Sequence, residues 1–252
     1  MKLKYVTLTG ADSSVQPEEL VALSKKYPFV EWAILFSQSK SGTTPRYPGH
    51  DWVLDLLKIA ESTPMNLSAH LCGKWVDDAL KGEITFLKDA EMNKAFRRVQ
   101  LNMGKDRLQG AFKNKQLVYA IIAAEKQVIF GGNYAAIIAN GQFFDTTGTY
   151  PLFDASGGRG IAATEWPKPL TYTEYAVVDG QQDEQKTVFC GYAGGLGPDN
   201  ILAELKRIEE VVGDATIWVD MESRVRTKDK AGDRFDLAKC EQVLQVAQPW
   251  VG

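Results

Sequence analysis

Eight short apolar runs, each bounded by turn signals and separated from the next by a helical or irregular stretch, limit what this chain can fold into more than any other feature. They fall at residues 3–9, 31–37, 66–71, 97–102, 127–130, 150–154, 186–192 and 215–220. Alternation of strand and helix repeated eight times predicts a closed, parallel, eight-stranded (β/α)8 TIM barrel over an open doubly wound sheet. The first strand ends in Leu8-Thr9-Gly10-Ala11-Asp12, with one glycine, so a dinucleotide-binding turn is disfavoured.

Several helices are legible between these runs. Pro17-Glu18-Glu19 opens the first with a proline and an acidic first turn, and Leu20, Leu23 and Tyr27 then share a face. The second groups Trp52, Leu56 and Ile59, with His50-Asp51 read as its cap. A helix from Pro198 to Val212 stacks Ile201, Leu205, Ile208 and Val212, and the last, at 237–246, turns Val243 and Val246 toward its packing side. Residues 81–96 are ambiguous and leave room for a short extra helix, while 177–186 reads as an exposed loop. With no internal repeat, low-complexity tract or linker, residues 1–252 are expected to form a single domain.

A chain of 252 residues with 44% hydrophobic content suffices for one large core. Its formal net charge of −3 gives no footprint for nucleic acid or an anionic membrane, and no apolar run approaches the ~18 residues of a membrane span. Cys72, Cys190 and Cys240 are odd in number, with no CxxC pair, and read as reduced thiols of a cytoplasmic protein.

The chemistry gathers at strand ends. Tyr192-Ala193-Gly194-Gly195-Leu196-Gly197-Pro198-Asp199-Asn200 joins a buried strand to a proline-started helix through two glycines, which can present bare N–H groups to an oxyanion. The same run also serves a chain that merely reverses sharply. The run 216–220 ends in Asp220 and leads to Glu222-Ser223-Arg224-Val225-Arg226, and 150–154 ends in Asp154 before Gly157-Gly158-Arg159-Gly160. Carboxylates at strand ends followed by glycine- or arginine-bearing loops match the active end of a barrel.

Five segments together resemble phosphoribosylanthranilate isomerase, thinly over nearly the whole chain. Val30–Ser37 with Thr44-Pro45-Arg46-Tyr47 is similar to that family's second strand and S-P-R-Y turn, and Val99-Gln100-Leu101-Asn102-Met103-Gly104 to its V-Q-L-H-G. Tyr150–Asp154, the following glycines and Trp166 resemble its sixth strand and glycine-rich loop. Ala193–Asn200 resembles A-G-G-L-x-P-x-N, and Val219-Asp220-Met221-Glu222-Ser223-Arg224-Val225 resembles V-D-x-S-S-G-V.

The resemblance implies an Amadori rearrangement, in which an acid protonates a ring oxygen and a base removes the C2 proton. Asp154 matches the acid, the alternative being a cap for the glycine loop. Arg46 matches the arginine that grips a carboxylate, the alternative being a solvated turn residue. Gly194, Gly195 and Ser223 match the phosphate site, and Gln100 and Asp220 match family positions that could also tie down strand ends.

The departures are informative. The family's base is a cysteine where this chain has Thr9, Asn102 replaces a histidine, and Arg224 replaces a glycine, so that Arg224 and Arg226 become candidates for gripping an anion by charge, the alternative being surface residues paired with Glu222. His70, expected on the catalytic rim, is the candidate relocated base, with a hydrogen-bonded structural histidine as the alternative. Cys72 reads as a nucleophile or a small buried residue, and His70 with Cys72 does not make a metal signature. A Schiff-base aldolase is disfavoured because no lysine clearly ends a strand. The expectation is a barrel that binds a small phosphorylated or carboxylated ligand, as a divergent isomerase or as a non-catalytic descendant. It needs no cofactor or metal, has no nucleic-acid or membrane partner, and is a monomer or homodimer.

Overall fold

The computed structural model describes residues 1–103, 105–111, 114, 116–117, 119–120, 125–132, 134–139, 141–144, 148–155, 161–174 and 184–252. Eight strands close into a barrel: β1 (Lys2–Thr9), β2 (Val30–Phe36), β3 (Asn66–Leu71), β4 (Arg98–Leu101), β5 (Gln127–Gly132), β6 (Thr149–Asp154), β7 (Cys190–Ala193) and β8 (Thr216–Met221). Every neighbouring pair is parallel, and β8 closes the circle on β1. The fold is the (β/α)8 barrel that the alternation predicts. Among the described residues, no helix is long and apolar enough to cross a membrane.

The period-two alternation of the strands divides the apolar side chains into two bodies. Outward residues such as Val6, Leu8, Val99, Phe130, Ile217 and Val219 pack under the helices in one large core. Inward residues Ile129, Leu152 and Trp218 form a second, smaller cluster with Tyr5, Tyr150, Phe189 and Ala193. The lumen is thus a filled core, as closure of eight strands requires.

Charge is also buried there. Arg98 on β4 reaches Glu31 on β2 at 2.7 Å, with both side chains at most 3% exposed, and Thr7 donates to the same carboxylate oxygen at 2.7 Å. The Arg98 guanidinium lies 4.3 Å from the centre of the Trp218 ring. Trp218 in turn fills the space over Gly191 on β7, where a Cβ would stand 2.2 Å from the indole.

The helices follow their apolar spacing. Pro17–Lys26 buries Leu20 and Leu23, with the Gln16 N–H donating to Glu19 at 2.9 Å at its start. Ile201, Leu205, Ile208 and Val212 are all buried. The ambiguous stretch holds a short 3-10 turn, Thr85–Lys88, and a helix, Ala90–Ala95, started by Asp89 accepting from Glu91 and Met92.

Three expectations need correction. The seventh run divides: Glu184–Thr187 pairs antiparallel with Thr171–Glu174 outside the barrel, and only Cys190–Ala193 joins it. The helix expected from Pro198 begins at Ile201, because Asn200 ties the preceding turn by accepting from Gly197 N–H and donating to Gly195 O, each at 2.9 Å. His50 and Asp51 are the first residues of the second helix, His50–Ser62, and do not cap it; Gly49 holds that position. The segment Gly157–Gly160 and most of the loop at 177–186 lie outside the described residues.

Gly191→Ala should destabilise the barrel by about 1–3 kcal/mol in urea unfolding, since Trp218 cannot retreat from a filled lumen. An unchanged midpoint with unchanged slope would show that the indole does not occupy that space.

Candidate functional site at the C-terminal mouth

Parallel strands deliver their last inward side chains to one end of the barrel. Thr9 ends β1, Asp154 ends β6, and Asp220 is the penultimate residue of β8. Asp154 and Asp220 are both in register with Ala193 of β7, so the two carboxylates flank a small side chain at one level. With strands about 4.8 Å apart, their backbones stand roughly 10 Å from each other.

Asp220 is the unusual group. Its residue is 6% exposed, and its carboxylate accepts from the Thr9 hydroxyl at 2.6 Å. Burial pushes its pKa up to about 7; the Thr9 hydrogen bond acts in the opposite direction, while the charges of Glu222, Glu31 and Asp154 add to the rise. A carboxyl that exchanges its proton near neutrality, at the active end of a barrel, is suited to acid–base chemistry. The resemblance matches it to a substrate-binding position, with tying down a strand end as the alternative.

Beside it, Gly194 and Gly195 adopt φ of 129° and 63°. Gly195 must lack a side chain, because a Cβ would stand 2.5 Å from the Ala162 nitrogen. Among the described residues, neither glycine's N–H donates a hydrogen bond. Across from this turn, Arg224 lies half-buried against Gly197, where an added Cβ would meet the Arg224 Cβ at 2.4 Å, and it forms no ion pair among the described residues. Glycine N–H groups and a guanidinium without an ion pair among the described residues thus lie on the neighbouring loops after β7 and β8.

Other expected residues are engaged elsewhere. Arg46, with a left-handed backbone (φ 79°), donates its N–H to Asp12 at 2.8 Å; its guanidinium meets Glu222, Asp233 at 3.3 Å and the Ser223 hydroxyl at 3.4 Å. It already faces two carboxylates of its own chain, which opposes a role in gripping a ligand carboxylate. Arg226 is a lock, and its expected anion-binding role is corrected. Fully buried, it pairs with Asp233 at 2.6 Å and Asp12 at 2.7 Å, and donates to Gly10 O. These contacts tie the hairpin Arg226–Asp229 and Gly232–Phe235 to the loops after β1 and β2. The charge alternation at 222–236 was the only sequence signal for Glu222 and Asp233.

His70 is inside the barrel and only 1% exposed, which corrects its expected place on the rim. Burial, with the Arg98 charge second, lowers its pKa to about 3, so it is too weakly basic to remove a carbon-bound proton effectively. Its Nε2, Ser68 Oγ and the Oε1 of Gln100 have no hydrogen-bond partner among the described residues. Gln100 donates to Asn102 at 2.8 Å, Asn102 to the Cys72 sulfur at 3.3 Å, and the Tyr47 hydroxyl approaches that sulfur at 3.9 Å. Burial raises the Cys72 thiol above its ordinary value, the reverse of an activated nucleophile. Among the described residues, no three His, Cys, Asp or Glu side chains are grouped as metal ligands.

No family model matches this chain, and no curated protein matches it. Solved structures do. A truncated 3-deoxy-D-arabino-heptulosonate 7-phosphate synthase from Thermotoga maritima superposes with a TM-score of 0.54 at 12% identity, over 99% of this chain and 86% of that one. A phospho-2-dehydro-3-deoxyheptonate aldolase from the same organism gives 0.51 at 11% over 97% and 68%. The spore coat polysaccharide biosynthesis protein SpsE of Bacillus subtilis gives 0.52 at 8% over 98% and 68%. At these identities the likeness establishes the barrel fold.

Because the folded state retains the Asp220 proton between about pH 4 and about 7 while the unfolded chain has lost it, this group's contribution to stability declines as pH rises through that window. Asp220→Asn removes the decline. Its unfolding free energy relative to wild type should therefore increase from pH 4 to 7, by about 1 kcal/mol or more, and level off above. A pH-independent difference would place the Asp220 pKa in the ordinary carboxylate range.

Proposed function

We propose that this barrel binds a phosphorylated sugar and carries out proton transfer of the aldose–ketose type, with Asp220 as base and Asp154 as acid. The observation that carries the reading is the buried Asp220 carboxyl, raised to about 7 and level with Asp154 across Ala193, beside the Gly194-Gly195 turn and Arg224. Two solved neighbours are named for heptulosonate phosphate chemistry, which supports a phosphorylated sugar as ligand class.

In a reaction of the phosphoribosylanthranilate isomerase type, Asp154 protonates the ring oxygen as the C1–O bond breaks. The substrate's amino nitrogen supplies its lone pair to form C1=N as that bond breaks. Asp220 then takes the C2 proton, the C2–H electron pair becomes the C1=C2 bond, and the C1=N pair returns to nitrogen, giving the enolamine. Thr9 positions Asp220 through its hydroxyl and needs no ionisation of its own. The phosphate sits against the Gly194 and Gly195 N–H groups with Arg224. This arrangement moves the base from His70 to Asp220 and places it beside the position where the resembled family carries cysteine.

A second reading, a non-catalytic anion-binding barrel, is favoured by that missing cysteine and by the prior engagement of Arg46 with Glu222 and Asp233. Solvent deuterium incorporation at C2 of phosphoribosylanthranilate and of aldose phosphates, followed by NMR, separates the two. Exchange should rise with pH through about 7 and fall by roughly 10²–10⁴-fold in Asp220→Asn. Binding without exchange in wild type selects the non-catalytic reading. Arg224→Ala should weaken sugar-phosphate binding by about 1.5–3 kcal/mol in calorimetry, and unchanged affinity removes Arg224 from the phosphate site.

A further inference from the structure

The charged residues lining the opposite end of the barrel are mostly cationic. A cavity of about 850 Å3 opens there, lined at the starts of six consecutive strands by Lys4, Tyr5, Glu31, Arg98, Gln127 and Tyr150 among others. Arg97, Lys94 and Lys126 complete its cationic lining, so that five cations face two carboxylates, Glu31 and Glu125, in a chain whose net charge is −3. One of those carboxylates is already committed to Arg98.

The second observation lies in the cavity's lining. Arg98 is 2% exposed, and its Nε and one Nη find no hydrogen-bond partner among the described residues, although Nη1 is paired with Glu31. A buried guanidinium with open donors is costly unless an acceptor meets them. Stacking on Trp218 and Tyr5 engages the face of the guanidinium and leaves its in-plane donors open. The neighbouring Gln127 Oε1 is likewise unpartnered. Lys126 is held below its ordinary pKa by burial and then by the Arg97 charge, while the Glu125 charge acts in the opposite direction.

We infer that the N-terminal mouth is a second binding site, for a small multivalent anion of the phosphate-ester class, seated between Arg97, Lys126 and Lys4 above the buried Arg98 guanidinium. The cavity has the size of a small-molecule pocket, and its aromatic walls, Tyr5 and Tyr150, offer faces to a ring carried by the anion. The site is independent of the C-terminal mouth and of the reaction proposed there.

Titration of the full chain with pyrophosphate, read at the Arg98 Nε–H resonance by NMR, tests it. The resonance should shift saturably in wild type and equally in Arg224→Ala, which alters only the other mouth. Arg97→Gln combined with Lys126→Gln, both on the cavity's outer lining, should weaken the response at least about tenfold. An unmoved Arg98 resonance overturns the inference, as does a response lost in Arg224→Ala but retained in the double variant. A shift produced by a single-stranded oligonucleotide but not by pyrophosphate also overturns it, by making the site a nucleic-acid surface.

Discussion

The buried Glu31–Arg98 ion pair is the constraint around which the barrel interior is arranged. Two charges removed from water are tolerable only with good geometry and additional partners. Thr7 supplies a hydrogen bond to Glu31, and Trp218 supplies its face to Arg98. Accommodating that indole requires glycine at 191 on the neighbouring strand. The pair then acts on both ends of the lumen. The Arg98 charge helps keep His70 neutral, the Glu31 charge helps keep Asp220 protonated, and Arg98 itself lines the N-terminal cavity. The ion pair thus adds, behind burial itself, to the separation in proton affinity between His70 and Asp220.

Much of the fold was legible because parallel strands buried on both faces read as short apolar runs, and all eight appeared in order. The seventh was misread at its start. Residues 184–187 satisfy their backbone with Thr171–Glu174, a pairing that an apolar-run reading does not register. Pro198 marked a helix opening, but the Asn200 side chain holds the turn and delays the helix to Ile201.

The strand-end positions of the candidate residues were legible, and their surroundings were less so. Asp154, Asp220, Gly194, Gly195 and Arg224 could be placed at one end because strand ends are visible in sequence. Which carboxyl carries the raised proton affinity depends on burial and on the charges of residues 31, 154 and 222, which only the closed barrel brings together. The same limit applies to the arginines. Arg46 and Arg226 resemble anion-binding residues until the hairpin after β8 is seen to supply Asp233, and the loop after β1 to supply Asp12. His70 was placed on the rim because it stands near a strand's end, yet it is inward-facing and buried in the lumen.

The central claim is that a buried carboxyl on β8 titrates near neutrality because of the lumen around it. Titration of the Asp220 side-chain carbon by ¹³C NMR in aspartate-labelled protein, assigned by comparison with Asp220→Asn, measures this directly. The account predicts a midpoint near 7. A midpoint near 4, the value of an unperturbed aspartate, would contradict it.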